Sequence, residues 1–517
     1  MCIMAVLPGG EEHYCGVTRR QDDPGHARTR VELPASDGDG APSALDEIDT
    51  VNARGEDTVS APAALAADAA AGHSEGESLM LRSGVVLRLG RLMLAAGAGS
   101  YRVKSSMARA AAALGIDRHE ATVTMTEIVT SSYAGQRFRT ETAEIRRGGV
   151  NVARLERLRR IVHDLREHES AEHLNAKLDE VETMHGLYPA PINALASGVA
   201  CAGFCFLNAG GWPECLCVLI AAAAGQYLRR SLLLRHYQHF LTWLLCGLAS
   251  SALYMGLIAL LRLSGLAPGN HQGGIISAIL FLIPGFPMVT AMLDLVRQDF
   301  SSALSRFAYV VMVMTSAGVA VWSVTHAFHW HIEATSTVAP TGALLYSLRL
   351  LCSFVAAYGF AILFNAPARA CLLSAIIGAL ANTGRLLLID ELGIPWQLAV
   401  GLAATVIGLM AQLFVARASH SRVALSVPAV VIMIPGVPFY RAVSALNEHG
   451  SDPTVAIDTA MENLVEVFFV ITAIGVGLAL ARILTDRNWR HDVPTSALPG
   501  HRRPQARGTA AETAPGR

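Results

Sequence analysis

Lysine is nearly missing from this chain: Lys104 and Lys177 are the only two, so positive charge here means arginine. Charge of either sign is scarce between Ala190 and Trp489, where 26 of 300 residues are Asp, Glu, Lys or Arg, against 57 in the other 217. A soluble domain of that length cannot wet its surface with so few charges, so this stretch is expected to face lipid. The mean hydropathy of +0.38 agrees. A formal net charge of −1 and the lack of a basic stripe exclude a nucleic-acid partner. Cysteine does not form a framework. Cys2 and Cys15 lie near the start, and the other seven sit singly in apolar stretches; Cys201 and Cys205 have helical spacing but no companion histidine, so no metal site and no cofactor is expected. No phosphate loop, dinucleotide fingerprint, nucleophile elbow or zinc motif occurs. Those absences argue against ATP hydrolysis and against an enzyme.

What is present divides into segments. Residues 1–78 are rich in Gly, Pro, Ala, Asp and Ser without apolar periodicity, which predicts a disordered tail; Ile3–Leu7 is too short for the apolar core of a secretory leader. Residues 79–185 predict a small cytoplasmic α/β domain. An apolar stripe at Leu81, Val85, Leu89, Leu92 and Met93 marks a helix, and a second runs from Ser100 to Leu114 with Gly115 as its stop. Glu120–Met125 and Ser132–Ile145 read as two or three strands, and helices follow at Val152–Glu167 and Ala171–Met184. Ten apolar segments come next, at 190–208, 213–230, 240–261, 273–291, 307–326, 342–364, 368–388, 395–415, 423–441 and 463–482. Each is long enough to cross a bilayer core of roughly 30 Å. Residues 490–517 read as a second disordered tail. Arginines concentrate in the loops that lie inside if the first span starts in the cytoplasm (Arg229, Arg230, Arg235, Arg297, Arg306, Arg369, Arg417, Arg422), which places both termini in the cytoplasm of a cell with the protein in its inner membrane.

The apolar region repeats itself. Ile283-Pro284-Gly285-Phe286-Pro287 matches Ile434-Pro435-Gly436-Val437-Pro438, 151 residues on. Asn208-Ala209 closes the first span and Asn365-Ala366 the sixth. Thr315, Gly318 and Val319 match Thr472, Gly475 and Val476, also 157 apart. Two halves of five spans follow, 186–335 and 336–489. Five is odd, so the second half lies upside down in the membrane, an arrangement typical of secondary transporters.

Gly90-Arg91-Leu92-Met93-Leu94-Ala95-Ala96-Gly97-Ala98-Gly99-Ser100-Tyr101-Arg102-Val103, with Asn151-Val152-Ala153-Arg154-Leu155 downstream, resembles the soluble domain of the threonine/serine exporter family. The two Ile-Pro-Gly-x-Pro segments and the ten spans resemble its membrane domain, over about Leu79 to Arg482. The resemblance implies proton-driven export of threonine, serine or a similar small metabolite. It also implies dicarboxylate carriers such as succinate exporters as the alternative, since the family has a two-subunit branch. An assembly of identical copies is compatible with it.

Candidate site residues follow from chemistry. Prolines flanking a glycine break a helix and free backbone groups, which membranes tolerate only beside protein or water. Pro284, Gly285, Pro287, Pro435, Gly436 and Pro438 are therefore substrate-binding candidates, with a plain structural kink as the competing reading. Asn208 and Asn365 could hold polar substrate atoms or simply cap helices. Asp458, Glu462 and Glu466, at i, i+4 and i+8, share one helix face; Glu462 and Glu466 are the proton-coupling candidates, against simple interfacial placement. Arg349 is expected to face the interior or a partner, and Arg385 to reach out to the interface. His326, His329 and His331 cluster beyond the fifth span and read as solvated. His119, Thr124, Thr126, Glu127, Ser131 and Ser132 are the raw material for a membrane-anchored hydrolase or sensor, the remaining alternative function.

Overall fold

A computed structural model describes residues 63–145, 148–267, 271, 273–328, 341–418, 421–445 and 453–491. The N-terminal α/β domain begins with α1 (Ala63–Ala95), so residues 63–78, expected to belong to a disordered tail, are helical; residues 1–62 and 492–517 lie outside the described residues. Val86, Leu89 and Met93 of α1 are fully buried, whereas Leu81 is exposed. The α2 helix (Ser100–Ala113) lies against it, and ends at Gly115, whose φ of +74° is the left-handed turn that glycine adopts without strain. Three antiparallel strands, β1 (Arg118–Val123), β2 (Glu127–Ala134) and β3 (Arg137–Glu144), form one sheet in sequence order. Two helices close the domain, α3 (Val152–His163) and α4 (Ala171–Glu182), capped by the side chains of Asn151 and Ser170.

The membrane domain contains eight helices apolar and long enough to cross a bilayer among the described residues. They are α5 (Ala190–Leu207), α6 (Trp212–Leu234), α7 (His239–Leu263), α10 (Phe300–Ala327), α11 (Gly342–Leu363), α12 (Ala368–Asp390), α13 (Trp396–Ala418) and α16 (Pro453–Thr485). The fourth and ninth segments are interrupted. The fourth consists of the short α8 (Gly274–Ala278), a 3-10 turn at Leu280–Leu282, and α9 (Gly285–Val296). The ninth consists of α14 (Arg422–Val431) and α15 (Gly436–Ala445), bent by 49°. A last short helix, α17 (Arg487–Arg490), follows α16. The chain is a polytopic α-helical membrane protein with a small α/β domain in front.

Reciprocal contacts relate the two halves. A Cβ on Gly203 would meet Ala356 at 3.5 Å and the Cys352 carbonyl at 2.9 Å; one on Gly359 would meet Ala200 at 2.8 Å and the Ala196 carbonyl at 2.6 Å. Each residue in the first set is 156 positions from its counterpart in the second, Gly203 from Gly359, Ala356 from Ala200 and Cys352 from Ala196. Likewise Gly318 faces Val443 and Gly475 faces Met292. Such mutual pairing is what a two-fold axis between the repeats produces, and small residues at the α5–α11 crossing let the backbones approach as membrane helices do.

Both halves meet the α/β domain at one end of the bundle, the near end. Met125 N–H donates to Ser305 Oγ at the start of α10 (3.0 Å). Val152 N–H donates to the Phe364 carbonyl at the end of α11 (2.9 Å), and Ser421 N–H, at the start of α14, donates to the buried Glu156 (3.3 Å). Tyr101 meets Trp489 of α17 edge-on, ring centroids 6.0 Å apart.

Candidate functional site

The two breaks are local copies of one another. Pro284 has φ −80° and ψ 58°, and Gly285 N–H donates back to the Ile283 carbonyl at 2.8 Å, an inverse γ-turn. Gly436 N–H donates to the Ile434 carbonyl at the same distance. The helices stop where the sequence places the proline: it has no N–H, and its ring excludes the preceding turn. Carbonyls released at the first break find donors on neighbouring helices. Arg229 Nη1 donates to the Phe281 carbonyl (2.7 Å) and Trp243 Nε1 to that of Leu282 (2.9 Å).

The breaks also touch each other. A Cβ on Gly285 would stand 2.7 Å from Ile434 Cδ1, and one on Gly436 would stand 2.7 Å from Ile283 Cδ1. Gly285, Pro284, Gly436, Pro435 and Pro438 are buried, and Pro287 is half-buried. The six candidates thus converge on the contact between the two halves, with each glycine filled by the opposite isoleucine.

The asparagines are helix ends. Asn208 donates from Nδ2 to the Phe204 carbonyl of its own helix (2.9 Å). Asn365 has φ +56°, accepts from Leu187 N–H (2.8 Å) and donates to Asn151 Oδ1 (2.9 Å), so it ties α11 to the α/β domain. The two are not structural equivalents. Ala209, with φ +62°, occupies in α5 the position that Asn365 occupies in α11, and both ends carry the six-to-one bond of a Schellman turn: Gly210 N–H to Cys205, Ala366 N–H to Ala361.

Glu462 is exposed on α16, and Glu466 is half-buried, with Arg441 of α15 as its facing cation; Asp458 is exposed one turn before Glu462. Arg349 pairs with Asp390 on the next helix. Arg385 departs from expectation: it is buried, and its Nε donates to Asn382 Oδ1 at 2.9 Å, because the helix turns it toward the interior where an asparagine awaits it. His326 stacks on Trp322; His329 and His331 lie outside the described residues. In the α/β domain His119 and Ser132 are cross-strand neighbours, Nδ1 3.0 Å from Oγ, and Thr130 Oγ1 is 3.1 Å from Nε2. Ser132 is wholly buried, so no substrate reaches that hydroxyl.

Sequence reasoning missed two groupings. At the near end, Arg306 lies against Asp294 (Nε to Oδ2, 3.1 Å), and its Nη2 donates to the Ala98 carbonyl (2.8 Å). Ser100 N–H donates to Asp294 Oδ1 (3.2 Å), and Lys104 pairs with Asp299 (2.7 Å). The Gly97-Ala98-Gly99-Ser100 turn therefore docks on the second half of the first broken span. The sequence offers little sign, since Asp294 and Arg306 both fall in the short link between the fourth and fifth apolar segments. At the opposite, far end a cavity of about 820 Å³ opens between α5, α6 and α11, bordered by Trp212, His271, Arg349 and Cys352.

Among the described residues, eight spanning helices and two segments interrupted beside a proline, packed as two mutually contacting halves, make a polytopic membrane protein of the transporter class. A threonine/serine exporter family model matches residues 84–328, and a second, described as "Threonine/Serine exporter, ThrE", matches residues 349–484. The chain belongs to the threonine/serine exporter family and is a multi-pass membrane exporter. It is 26% identical over 251 residues to a protein of Escherichia coli K12 named "Probable succinate transporter subunit YjjP", which covers 46% of this chain and 94% of that protein. The protein of the same name from Klebsiella aerogenes is 25% identical over 246 residues, 45% of this chain and 92% of the relative. An uncharacterized Haemophilus influenzae protein is 30% identical over 149 residues, 28% of this chain and 50% of its own length. No solved structure matches the chain.

Proposed function

We propose that this protein exports threonine, serine or closely similar hydroxy amino acids from the cytoplasm, in exchange for protons. The observation that carries the reading is the reciprocal seating of the two Pro-Gly breaks, Gly285 on Ile434 and Gly436 on Ile283, in a chain of an exporter family. When that contact parts, the two breaks offer helix amide ends to a carboxylate and free carbonyls to an ammonium group, the two poles of an amino acid. Pro284, Gly285, Pro287, Pro435, Gly436 and Pro438 then line the substrate path, while Asn208 and Asn365 hold its helix ends. Glu466, with Glu462 one turn away, carries a proton along the α16 face opposite Arg441.

The near end is the cytoplasmic one, as the arginine distribution supports, with both termini inside and the protein in the inner membrane. The α/β domain grips both halves there, through Asp294, Ser305, Phe364 and Ser421. With the cavity at the far end, that grip corresponds to a state closed inside and accessible outside. Export requires it to loosen.

A second reading keeps the mechanism and changes the cargo. The relatives from Escherichia coli and Klebsiella aerogenes are named as succinate transporter subunits, which favours a dicarboxylate. Cells preloaded with labelled threonine or succinate, with and without the protein, decide between them. Faster loss of threonine alone supports the amino-acid reading. Faster loss of succinate alone replaces it, and unchanged loss of both removes the export reading for these cargoes.

A further inference from the structure

Arg229 lies on α6 and Arg385 on α12, 156 positions apart, so the repeat makes them counterparts. Because the halves are inverted, Arg229 stands toward the near end and Arg385 toward the far end. Three residues before each comes an amide, Gln226 or Asn382. The two arginines make opposite choices. Arg229 bypasses its amide and donates to the Phe281 carbonyl of the first break (2.7 Å), and Gln226 Oε1 is buried without a hydrogen-bond partner. Arg385 donates from Nε to Asn382 Oδ1 (2.9 Å). At the second break the counterparts of Phe281 and Leu282 are the buried Ile432 and Met433, whose carbonyls accept no hydrogen bond among the described residues. The α12 helix runs alongside that break. A Cβ on Gly378, about two turns before Arg385, would meet Ala429 Cα, three residues before Ile432, at 3.1 Å.

A guanidinium in a membrane bundle is costly unless its N–H groups find acceptors and its charge a counter-ion. Arg385 is 9% exposed, and its Nη1 and Nη2 bond nothing among the described residues. The charged groups that face it are Arg349 of α11 and Asp390 of its own helix, which pair with each other. Those three side chains leave one positive charge unmatched. Arg229 is faced by Cys201, Cys246 and Tyr309, and by no acid among the described residues. Between them the two halves display both resting places of one side chain, the amide and the break carbonyl. In each half the acceptor that the other half uses is idle. On the amide, the arginine keeps a planar fork of N–H groups unfilled, and such a fork fits the two oxygens of a carboxylate.

We propose that Arg385 binds the carboxylate of the cargo when the bundle is open to the outside, and that Arg229 binds it when the bundle is open to the cytoplasm. This rests on the exporter reading and deepens it by naming the chemical class, a small carboxylate, to which threonine, serine and succinate all belong. In the present structure the near side is shut: Arg229 is held by the Phe281 carbonyl, and Arg385 waits on Asn382 with its fork free. When the α/β domain lets go, Arg229 moves from Phe281 to Gln226 and becomes the free one, while Arg385 moves onto the Ile432 carbonyl. Cargo then loads at Arg229 and, after the reverse change, leaves from Arg385. No covalent bond forms or breaks.

Ligand-induced melting shifts of the full chain in lipid nanodiscs test this without requiring transport. Sodium acetate, threonine and succinate are compared with sodium chloride at equal ionic strength, and threonine with threoninol, which keeps the amine and hydroxyl but lacks the carboxylate. The three carboxylates are expected to raise the melting temperature of the parent, and threoninol is not. Arg385→Gln is expected to weaken the apparent affinity on the order of 30-fold or more. Arg385→Lys keeps the buried charge, provides a folded reference should the glutamine variant not fold, and loses the fork, so it is expected to weaken affinity too. The shift on adding ligand, rather than the melting temperature itself, separates binding from the structural loss of the Asn382 bond. A parent that no carboxylate stabilises, an equal shift with threoninol, or affinities unchanged in both variants overturns the proposal. Release of labelled threonine and succinate from vesicles is measured beside it and is expected to fall in Arg229→Gln. Release at the parent rate in that variant removes Arg229 from the path. Carboxylate binding that depends on Arg385, in a parent that moves neither cargo, removes the exporter reading for these two cargoes and leaves the carboxylate site standing.

Discussion

Arg306 and Asp294 are withdrawn from solvent almost completely, at 3% exposure each, and their Nε and Oδ2 lie 3.1 Å apart. Ser302, Thr290, Ser100 N–H and the Ala98 carbonyl supply the surrounding hydrogen bonds. The pair sits where the α/β domain meets the first half of the bundle, so it stabilises a junction as well as a helix. Removing one partner leaves the other charge buried and bare, a loss of about 3–5 kcal/mol. Asp294→Asn and Arg306→Gln are each expected to lower thermal stability in detergent sharply, and the double variant is expected to be less unstable than the sum. Additive losses would show that the two charges act independently.

The contact between the breaks predicts a matched pair of substitutions. Gly436→Ala places a methyl 2.7 Å from Ile283 Cδ1, an overpacking that costs about 1–3 kcal/mol. Ile283→Val removes that same atom and is expected to restore most of the stability. The mirror pair, Gly285→Ala with Ile434→Val, is expected to recover less, because Gly285 also faces Val431 Cγ2 at 3.0 Å. Melting of the four variants and the two doubles reads the difference. Equal recovery in both pairs would contradict the geometry.

Proline and glycine act on their own backbone, which explains why the breaks at Pro284 and Pro435 are legible in the sequence. The spans are legible because lipid imposes composition over about twenty consecutive residues. Gly115 is readable for an equally local reason, whereas the strand expected to start at Ser132 in fact runs from Glu127 to Ala134. What escapes is long-range. Glu214, the one acid of the second apolar segment, and His271, just before the fourth, are more than fifty positions apart in sequence, and only the fold brings them within 3.7 Å. Arg385 resembles an interfacial arginine, and only the position of Asn382 on the same turn reveals that it points inward. The match of Asn208 with Asn365 misleads by one residue, since the caps align Asn365 with Ala209.

Asn365 and Asn208 separate a junction from a binding role. Asn365→Ala removes the bonds to Leu187 and Asn151 and puts alanine at φ +56°, so it is expected to destabilise the fold by about 1–3 kcal/mol. Asn365→Gly relieves the backbone but not the lost bonds. Asn208→Ala, which gives up one bond to its own helix, is expected to stay within about 1 kcal/mol of the parent. Neither is expected to change the KM for export. A raised KM at unchanged stability would return the asparagine concerned to the substrate path.

Acid is expected to loosen the α/β domain. The Arg88 guanidinium, 2.5 Å from Glu182, holds that carboxyl below its ordinary value. A depressed carboxyl contributes stability in full above its unfolded value and loses it as pH falls through the folded one. Glu182 is partly exposed, so the contribution stays below about 1 kcal/mol. Hydrogen exchange over Ala171–Glu182 is expected to be faster in Glu182→Gln than in the parent near neutrality, with the difference vanishing at strongly acidic pH. A difference that persists in acid would mean the ion pair is not its source.

The central claim is proton-coupled export through the crossing of the two broken helices, and purified protein in sealed vesicles tests it most directly. Vesicles loaded with labelled threonine and diluted into acidic buffer, with the near face toward the lumen, are expected to release it faster than vesicles without a gradient. A protonophore is expected to abolish that acceleration, and Gly436→Leu, which overfills the crossing against Ile283 and is assayed only in its folded, inserted fraction, to reduce release to that of protein-free vesicles. Release that is indifferent to the gradient, or that persists in Gly436→Leu at the parent rate, would contradict the account.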